Sequence, residues 1–171
     1  MTKDLHNLLD EYEAKYPDDI VHVEKEINSN QEITAIVIQL EKQDKFPVLY
    51  FHNVINAGGK KAEQPVVTNV LASRVRRARI CNSTYEEIGR YIHKASRELR
   101  QKPEVIARTE APVKQVVKTG EKINLFEFPA LVHNVMDAGY YFSSGFLTTH
   151  DPDTGIDNCA LQRGWILAKD R

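Results

Sequence analysis

The sequence contains few cysteines and has no long hydrophobic run, and both absences limit what the protein can be. Its two cysteines, Cys81 and Cys159, lie far apart and form no CxxC pair, which excludes a disulfide framework and a cysteine zinc site. The longest uncharged apolar stretch, residues 33–40, is far shorter than the roughly 20 residues that span a bilayer. The N-terminus lacks the basic and apolar regions of a signal peptide. These absences predict a cytoplasmic protein in a reducing compartment, with no membrane partner.

The chain also lacks an excess of charge of either sign. It has 23 Lys and Arg residues against 24 Asp and Glu residues, and its formal net charge is −1. No field from the whole chain attracts nucleic acid, so a nucleic-acid partner is not expected. Hydrophobic residues make up 42% of the 171 positions, which is typical of a globular protein. This length allows one domain, or one domain and the beginning of another.

The first 110 residues alternate between helical and strand patterns, which is typical of a mixed α/β layer fold. Leu5, Leu8, Leu9 and Tyr12 recur at helical spacing until Pro17, and they predict a first helix capped by Thr2 or Asp4. Strands are predicted at residues 20–27, 46–51 and 65–70, and further helices at residues 31–45, 73–80 and 85–100. The turn at residues 28–30 is expected to cap the second helix.

After residue 110 the pattern becomes that of an all-β unit. Strands are predicted at residues 113–117, 140–148 and 158–167, with an extended segment at residues 126–129. The connector from Asp151 to Gly155 has Pro and Gly at turn positions, as in a hairpin loop. The predicted domains are therefore residues 1–110 and residues 111–171. A hairpin of this size is marginal in water by itself, so the second domain is expected to be incomplete.

Two polar segments are candidates for binding phosphate. The loop Gly58-Gly59-Lys60 lacks the spacing of a phosphate-binding loop, which favours a solvated loop. The basic block, defined as Arg74, Arg76, Arg77 and Arg79, could bind phosphate groups or nucleic acid. The first 30 residues hold eight acidic and three basic side chains. Electrostatic pairing with these acids, within the chain or between subunits, therefore explains the basic block at least as well as a nucleic-acid partner does.

The six histidines are dispersed, and no two have the spacing of a metal site on a helix. Only His150, beside the hairpin turn, is of interest as a functional residue. Arg163 lies between Leu161 and Trp165 on the last predicted strand. It either is buried against an anion or reaches solvent from an edge strand, and the pattern alone favours the edge strand.

Taken together, these segments resemble the UbiD family of decarboxylases. FPVLYFHNV is similar to the family pattern P-x-L-x-F-x-N-V, and QPVVTNVLASRVRRA to P-V-x-x-N-x-x-x-S-R-x-R. The opening segment DLHNLLDEYEAKYPDDIVHVEKEINSNQEITAI resembles the start of the family. The most specific segment is DAGYYFSSGFLTTHDPDTGIDNCALQR, which ends in the family's Asn and Arg five residues apart. The segments occur in the family's order along nearly the whole chain.

The resemblance implies an α/β (α+β) N-terminal domain followed by the first strands of a split β-barrel of the flavin-reductase-like type, which binds prenylated FMN. Asn158 matches the family's ligand of a divalent metal, usually Mn²⁺, that anchors the cofactor phosphate. Arg163 matches a catalytic arginine beside the flavin. The cofactor, the metal and a possible K⁺ ion would be contacted by the segment between them and its two ends: Asn158, Cys159, Ala160, Leu161, Gln162 and Arg163.

The resemblance also implies reversible, non-oxidative decarboxylation of an aromatic or α,β-unsaturated carboxylic acid by a homodimer or higher oligomer. The family's other metal ligands and its catalytic glutamates lie after the position of Arg163, where this chain has only Asp170 as an acidic residue. We therefore expect an N-terminal portion that is inactive alone. The alternative is a non-catalytic binding or assembly subunit that retains the N-terminal domain. An ordinary FMN-binding split barrel is disfavoured because too few strands are present.

Overall fold

The computed structural model describes residues 4–98 and 106–171. The helices are α1 (Leu5–Lys15), α2 (Glu32–Glu41), α3 (Arg74–Ile80) and α4 (Ile88–Glu98). The strands are β1 (Ile20–Val23), β2 (Ile27–Asn28), β3 (Val48–Phe51), β4 (Val54–Ile55), β5 (Val66–Thr68), β6 (Tyr141–His150) and β7 (Asp157–Trp165). This is a mixed α/β architecture, as the sequence predicts.

The described strands form three separate sheets. One has three strands in the order β1-β3-β5. The second is a parallel pair of β2 and β4, in which Ile27 lies opposite Val54. The third is the antiparallel hairpin of β6 and β7. Within the residues described there is no closed barrel.

The chain divides into two compact units that interleave along the sequence. The first comprises the described residues of Met1–Val21, Phe46–Leu49 and Thr68–Lys122. The second comprises His22–Lys45, Tyr50–Val67 and Ile123–Arg171.

In the first unit, side-chain caps mark the starts of α1 and α3, and apolar side chains form the core. Asp4 accepts a hydrogen bond from the backbone N–H of Asn7 (2.9 Å) at the start of α1, and Ser73 caps α3 in the same way. α1 ends before Pro17, whose ring cannot continue a helix. The buried apolar side chains of this unit are Leu9, Tyr12, Ile20, Val48, Leu49, Ala78 and Ile88.

In the second unit the core is formed by short strands and by the segment before the hairpin. Val132 lies beside Asn30 in a parallel bridge, and Leu131 lies beside Tyr141 in an antiparallel one. The backbone N–H of Val132 donates to the carbonyl of Ser29 (3.1 Å). The buried apolar side chains here are Ile27, Ile33, Phe51, Val54, Ala62, Ala130, Leu131, Val132 and Ile166.

Several sequence predictions of local structure are wrong. The strand predicted at residues 113–117 is not formed: a 3₁₀ turn covers Pro112–Lys114, and Val113 and Val116 are 81% and 77% exposed. β-branched residues favour a strand only where a neighbouring strand can pair with them, and Pro112 fixes a backbone angle suited to a turn. The extended segment predicted at residues 126–129 is likewise replaced in part by a 3₁₀ turn over Leu125–Glu127.

The limits of three other elements also differ from the predictions. The first strand is divided into β1 and β2, and α2 is preceded by Gln31 in a left-handed conformation (φ 67°) without a side-chain cap. The last helix begins at Ile88, and the end predicted for it at residue 100 lies outside the described residues. No helix in the described part of the chain is long and apolar enough to cross a membrane.

Candidate functional site

The hairpin of β6 and β7 carries every residue that the sequence proposes for the site. Its loop is held by Asp151, whose Oδ1 accepts from the backbone N–H of Asp153 (2.9 Å) and Thr154 (3.3 Å). The hydroxyl of Thr154 donates to Oδ2 of Asp151 (2.7 Å), and together these bonds lower the pKa of that carboxyl. Gly155 has a φ of 69°, which glycine adopts without strain. The predicted hairpin loop is confirmed.

Along β7 the candidate residues alternate between the two faces of the hairpin. Residues opposite each other in an antiparallel pair share a face, and Leu161 lies opposite Phe146 while Ala160 lies opposite Leu147. Cys159, Leu161 and Arg163 therefore lie on one face, which we call the Arg163 face. Asn158, Ala160 and Gln162 lie on the other, the Asn158 face. The sequence predicts this separation from the two-residue period of a strand.

A bulge in β6 lies directly across from Arg163. Phe142 is opposite Gly164 and Gly145 is opposite Gln162, so Ser143 and Ser144 together face the single residue Arg163. Glycine suits position 145, because a Cβ there would lie 3.0 Å from the carbonyl oxygen of Gln162, which is a tight contact. A bulge bends its strand and changes the direction of the neighbouring side chains, and bulges are common beside active sites.

Arg163 is exposed, but two side chains contact it. Its Nη1 lies 4.0 Å from Oδ1 of Asp137, and its guanidinium carbon lies 4.9 Å from the centroid of the Tyr141 ring. The Arg163 side chain is 58% exposed, whereas that of Asp137 is 14% exposed. Within the described residues Arg163 therefore reaches solvent, and the structure adds an anion and an aromatic ring beside it.

Asp137 is held in place by the backbone before it. Its Oδ2 accepts hydrogen bonds from the backbone N–H groups of His133 and Asn134, both at 3.0 Å. The Asn134 N–H, with the His133 N–H and the charge of Arg163, outweighs the effect of burial and lowers the pKa of the Asp137 carboxyl. Asp137 is thus an oriented anion whose other oxygen lies towards Arg163.

The outer edge of β7 offers main-chain groups to a ligand. Tyr141 exchanges two hydrogen bonds with Leu131 (2.9 and 3.2 Å), so its N–H and C=O point away from β7. Trp165 lies opposite Tyr141, and its main-chain groups must therefore point away from β6. By alternation, so do those of Arg163, Leu161 and Cys159. In the described part of the chain, β6 is the only strand that pairs with β7.

The described residues supply Asn158 without companion metal ligands. They contain no cluster of three or more His, Cys, Asp or Glu side chains arranged to hold a metal ion. His150, the histidine of interest, pairs through Nδ1 with Oδ1 of Asp157 across the hairpin (2.8 Å). His22 and His52 approach each other with Nδ1 and Nε2 at 2.7 Å, although they are far apart in sequence.

The two candidate phosphate sites have structural explanations. In the Gly58 loop, Oδ1 of Asn56 accepts from the backbone N–H groups of Gly58 (3.0 Å) and Lys60 (3.1 Å). In the basic block, Arg76 is 1% exposed and pairs with Asp19 in a 2.7 Å contact. The electrostatic pairing within the chain that the sequence suggests for the basic block is therefore confirmed for Arg76.

Sequence reasoning did not identify Asp137 and Tyr141 as neighbours of Arg163. Both residues lie in the DAGYY segment that carries the family resemblance, so a signal was present. Their closeness to Arg163 depends on the pairing of Tyr141 with Trp165 and on the course of the chain at residues 133–139. Neither can be obtained from local periodicity.

Comparisons with known proteins cover both parts of the chain. Residues 13–96 match the family model of the 3-octaprenyl-4-hydroxybenzoate carboxy-lyase N-terminal domain, UbiD_N. Residues 104–171 match the model of the 3-octaprenyl-4-hydroxybenzoate carboxy-lyase Rift-related domain, UbiD. One relative is the pyrrole-2-carboxylic acid decarboxylase of Pseudomonas aeruginosa, which is 28% identical over 157 residues and matches 85% of this chain.

Two solved structures share this fold over 99% of the chain. An evolved dimeric form of the UbiD-class enzyme HmfF from Pelotomaculum thermopropionicum, in complex with prFMN, is 26% identical with a TM-score of 0.83. The vanillic acid decarboxylase of Sedimentibacter hydroxybenzoicus is 25% identical with a TM-score of 0.83. The chain spans 37% of each of these two chains and 30% of the Pseudomonas protein. The two family models that match this chain, together with these structures, show that the chain belongs to the UbiD family.

Proposed function

We propose that this chain provides the N-terminal α/β domain (residues 1–110) and the first strands of a cofactor-binding split β-barrel (residues 111–171) of a UbiD-type decarboxylase. The enzyme would use prenylated FMN to remove CO₂ reversibly from an aromatic or α,β-unsaturated carboxylic acid. The observation that carries this proposal is Arg163, a cation on β7 that contacts the Asp137 carboxylate and the Tyr141 ring. The decarboxylases to which the chain is similar support it.

The donor groups of β7 suit a flavin cofactor and its phosphate. The main-chain N–H and C=O groups of Cys159, Leu161 and Arg163 are directed to the outer edge, where a planar polar ring can bind in place of a strand. Asn158 and Arg163 lie on opposite faces, so a ligand that contacts both must pass around this edge. The HmfF structure in complex with prFMN supports the same choice of cofactor.

Asn158 is suited to binding the metal that neutralises a phosphate. Its side chain is exposed and makes no hydrogen bond within the described residues. A carboxamide oxygen is a neutral, hard ligand appropriate for Mn²⁺, and main-chain carbonyls at the outer edge of β7 could hold K⁺. The remaining metal ligands would come from residues other than those described.

Arg163 would bind and orient the carboxylate that leaves as CO₂. A guanidinium forms paired, charge-assisted hydrogen bonds with a carboxylate, which positions the bond to be broken. Its charge also favours the ionised form of any neighbouring carboxyl group. Prenylated FMN, when bound, supplies the electron sink for the carbon that loses CO₂. The apolar side chains on both sides of Arg163 would exclude water from the reacting carboxylate.

The test is decarboxylation by the native gene product. After loading with prenylated FMN and Mn²⁺, CO₂ release is measured over a panel of aromatic and α,β-unsaturated acids. Arg163→Ala is expected to reduce kcat/KM by about a hundredfold or more, because it removes an oriented charge. Arg90→Ala, which changes an exposed arginine of α4, is the control and should leave the rate unchanged.

Two results would contradict the proposal in different ways. Full activity of the Arg163→Ala variant would reject the role of Arg163. No CO₂ release by a wild-type protein whose spectrum shows bound cofactor would reject the proposed decarboxylase activity and favour the non-catalytic subunit.

A homodimer or higher oligomer is expected and is tested by light scattering. The cytoplasmic location stays a prediction from the sequence.

A further inference from the structure

We propose that Asp137 and Tyr141 are positioning residues that hold the Arg163 guanidinium in its working orientation. This proposal rests on the function proposed above, because it assigns a purpose to the orientation of Arg163.

Arg163 needs such support because of where it lies. Its side chain is 58% exposed on a strand that has one partner strand among the described residues. A free arginine side chain carries about 2 kcal/mol of rotamer entropy, and a catalytic group must be held to within roughly 0.5 Å. Packing by the described residues alone therefore does not hold the guanidinium, and specific contacts are required.

Asp137 supplies a fixed negative charge. Its carboxylate is 14% exposed, and Oδ2 is bound by the two backbone N–H groups of His133 and Asn134. These bonds leave Oδ1 directed at Nη1 of Arg163, at 4.0 Å. The distance is that of an ion pair at its outer limit, which orients the guanidinium while leaving its N–H groups available to a substrate carboxylate.

Tyr141 supplies a fixed surface for the guanidinium. Its backbone is tied to Leu131 by two hydrogen bonds, and its ring stacks on Trp165 with centroids 6.2 Å apart. Arg163 lies over this ring at 4.9 Å, within the range of a cation–π interaction. The bulge at Ser143 and Ser144 lies opposite Arg163 and so gives it a different backbone environment from the rest of β7.

The arrangement of the chain around Arg163, Asp137 and Tyr141 favours an orienting role for the last two residues over a purely structural one. Gly139 allows the chain after Asp137 to approach Trp165, since a Cβ there would lie 2.9 Å from the indole Nε1. Asp137 thus reaches Arg163 from the segment before β6, and Tyr141 reaches it from β6 itself. Two contacts from different segments define a direction for the guanidinium, whereas a single contact would let it rotate.

The experiment uses the native gene product and four variants: Asp137→Asn, Tyr141→Leu, Tyr141→Phe and Arg163→Gln. Asp137→Asn removes the charge but keeps the shape of the side chain, and Tyr141→Phe keeps the aromatic ring. Asp153→Asn is the control, since it changes an exposed acid in the loop at the far end of the same hairpin. Each protein is loaded with prenylated FMN, and its visible spectrum reports how much cofactor is bound.

We expect Asp137→Asn and Tyr141→Leu each to lower kcat by about tenfold or more, with KM and cofactor loading within about twofold of wild type. Tyr141→Phe should keep the wild-type rate because the ring is retained, and Asp153→Asn should match wild type. In the Arg163→Gln background, Asp137→Asn should cause no further loss, because its effect passes through Arg163. Independent, multiplicative losses in the double variant would reject the proposal.

A structural measurement separates this proposal from the proposed function. In crystal structures of the variants, the Arg163 guanidinium should move from its wild-type position or become disordered in Asp137→Asn and Tyr141→Leu, and it should stay in place in Tyr141→Phe. An unmoved Arg163 in the first two variants would overturn the positioning role whatever the activity. If Arg163 is displaced in these two variants but the cofactor-loaded wild type releases no CO₂, the positioning role is supported and the proposed decarboxylase activity is rejected.

Discussion

Arg76 and Asp19 form a bidentate ion pair inside the first unit. Nη2 of Arg76 lies 2.7 Å from Oδ1 of Asp19, and Nε donates to Oδ2 at 3.0 Å. The same guanidinium donates to the carbonyl oxygens of Asn69 and Phe46. Tyr12 donates its hydroxyl proton to Asp19 (2.6 Å). A charge that is 1% exposed is therefore paired and hydrogen-bonded on several sides, as a buried charge requires.

Loss of the Arg76 side chain should destabilise the protein strongly. Arg76→Met is expected to lower the free energy of unfolding by about 3 kcal/mol, because it removes the buried cation that pairs most closely with Asp19 and the guanidinium donors to the carbonyl groups of Asn69 and Phe46. Urea denaturation of the purified protein measures this change. Arg77→Met, at an exposed position of the same helix, should change the free energy by less than about 0.5 kcal/mol. Equal effects of the two substitutions would contradict this account.

The pair should also make stability depend on pH. Burial of Asp19 opposes its ionisation, but the hydrogen bonds from Arg76 and Tyr12 and the nearby arginine charges outweigh burial and lower the pKa of the carboxyl. Because the folded-state pKa lies below that of the unfolded chain, ionised Asp19 stabilises the fold above about pH 4. This contribution is lost as the pH falls through the folded-state pKa.

The corresponding measurement compares wild type with Asp19→Asn between pH 7 and pH 3. The variant should be less stable at pH 7, and its free energy of unfolding should fall less steeply in acid. The slope should not vanish, since Asp137 and Asp151 also have lowered pKa values. Parallel curves for the two proteins would show that Asp19 does not cause the acid sensitivity.

Gly139 should not tolerate a side chain. In Gly139→Ala the new Cβ would lie 2.9 Å from Nε1 of Trp165, a rigid ring that would have to move. A loss of about 1–3 kcal/mol in the free energy of unfolding is expected. Gly89→Ala is the matched control: the site lies in α4 with open space around it, and alanine there should stabilise the protein by up to about 1 kcal/mol. Opposite signs for the two substitutions are the expected result.

Asn56 should be required for the conformation of the Gly58 loop. Its side chain is 7% exposed, accepts from the N–H groups of Gly58 and Lys60, and donates to the carbonyl of Glu127 (3.0 Å). Asn56→Leu should cost about 2 kcal/mol of stability, because it removes the acceptor of two N–H groups. Asn56→Asp keeps that acceptor and should cost less at neutral pH. Thermal unfolding of both variants tests this order, and the reverse order would contradict it.

The sequence by itself determined the elements that depend on neighbouring residues. The spacing of Leu5 to Tyr12 specifies α1, and Asp151 to Gly155 specify the hairpin loop, because helix periodicity and turn chemistry act over a few residues. The two-residue period of a strand likewise places Asn158 and Arg163 on opposite faces. The family motifs added the identity of these two positions as candidate site residues.

Only the tertiary structure decided which of several possible partners each side chain takes. The basic block could have faced solvent or phosphate, and contact with a distant Asp19 buried Arg76 alone among its four arginines. The valines at residues 113–117 have strand propensity but no partner strand in the described residues, so they form no strand. Asp137 and Tyr141 reach Arg163 through strand register and a bulge. Such pairings join residues distant in sequence, so their free energy depends on the folded chain and not on local pattern.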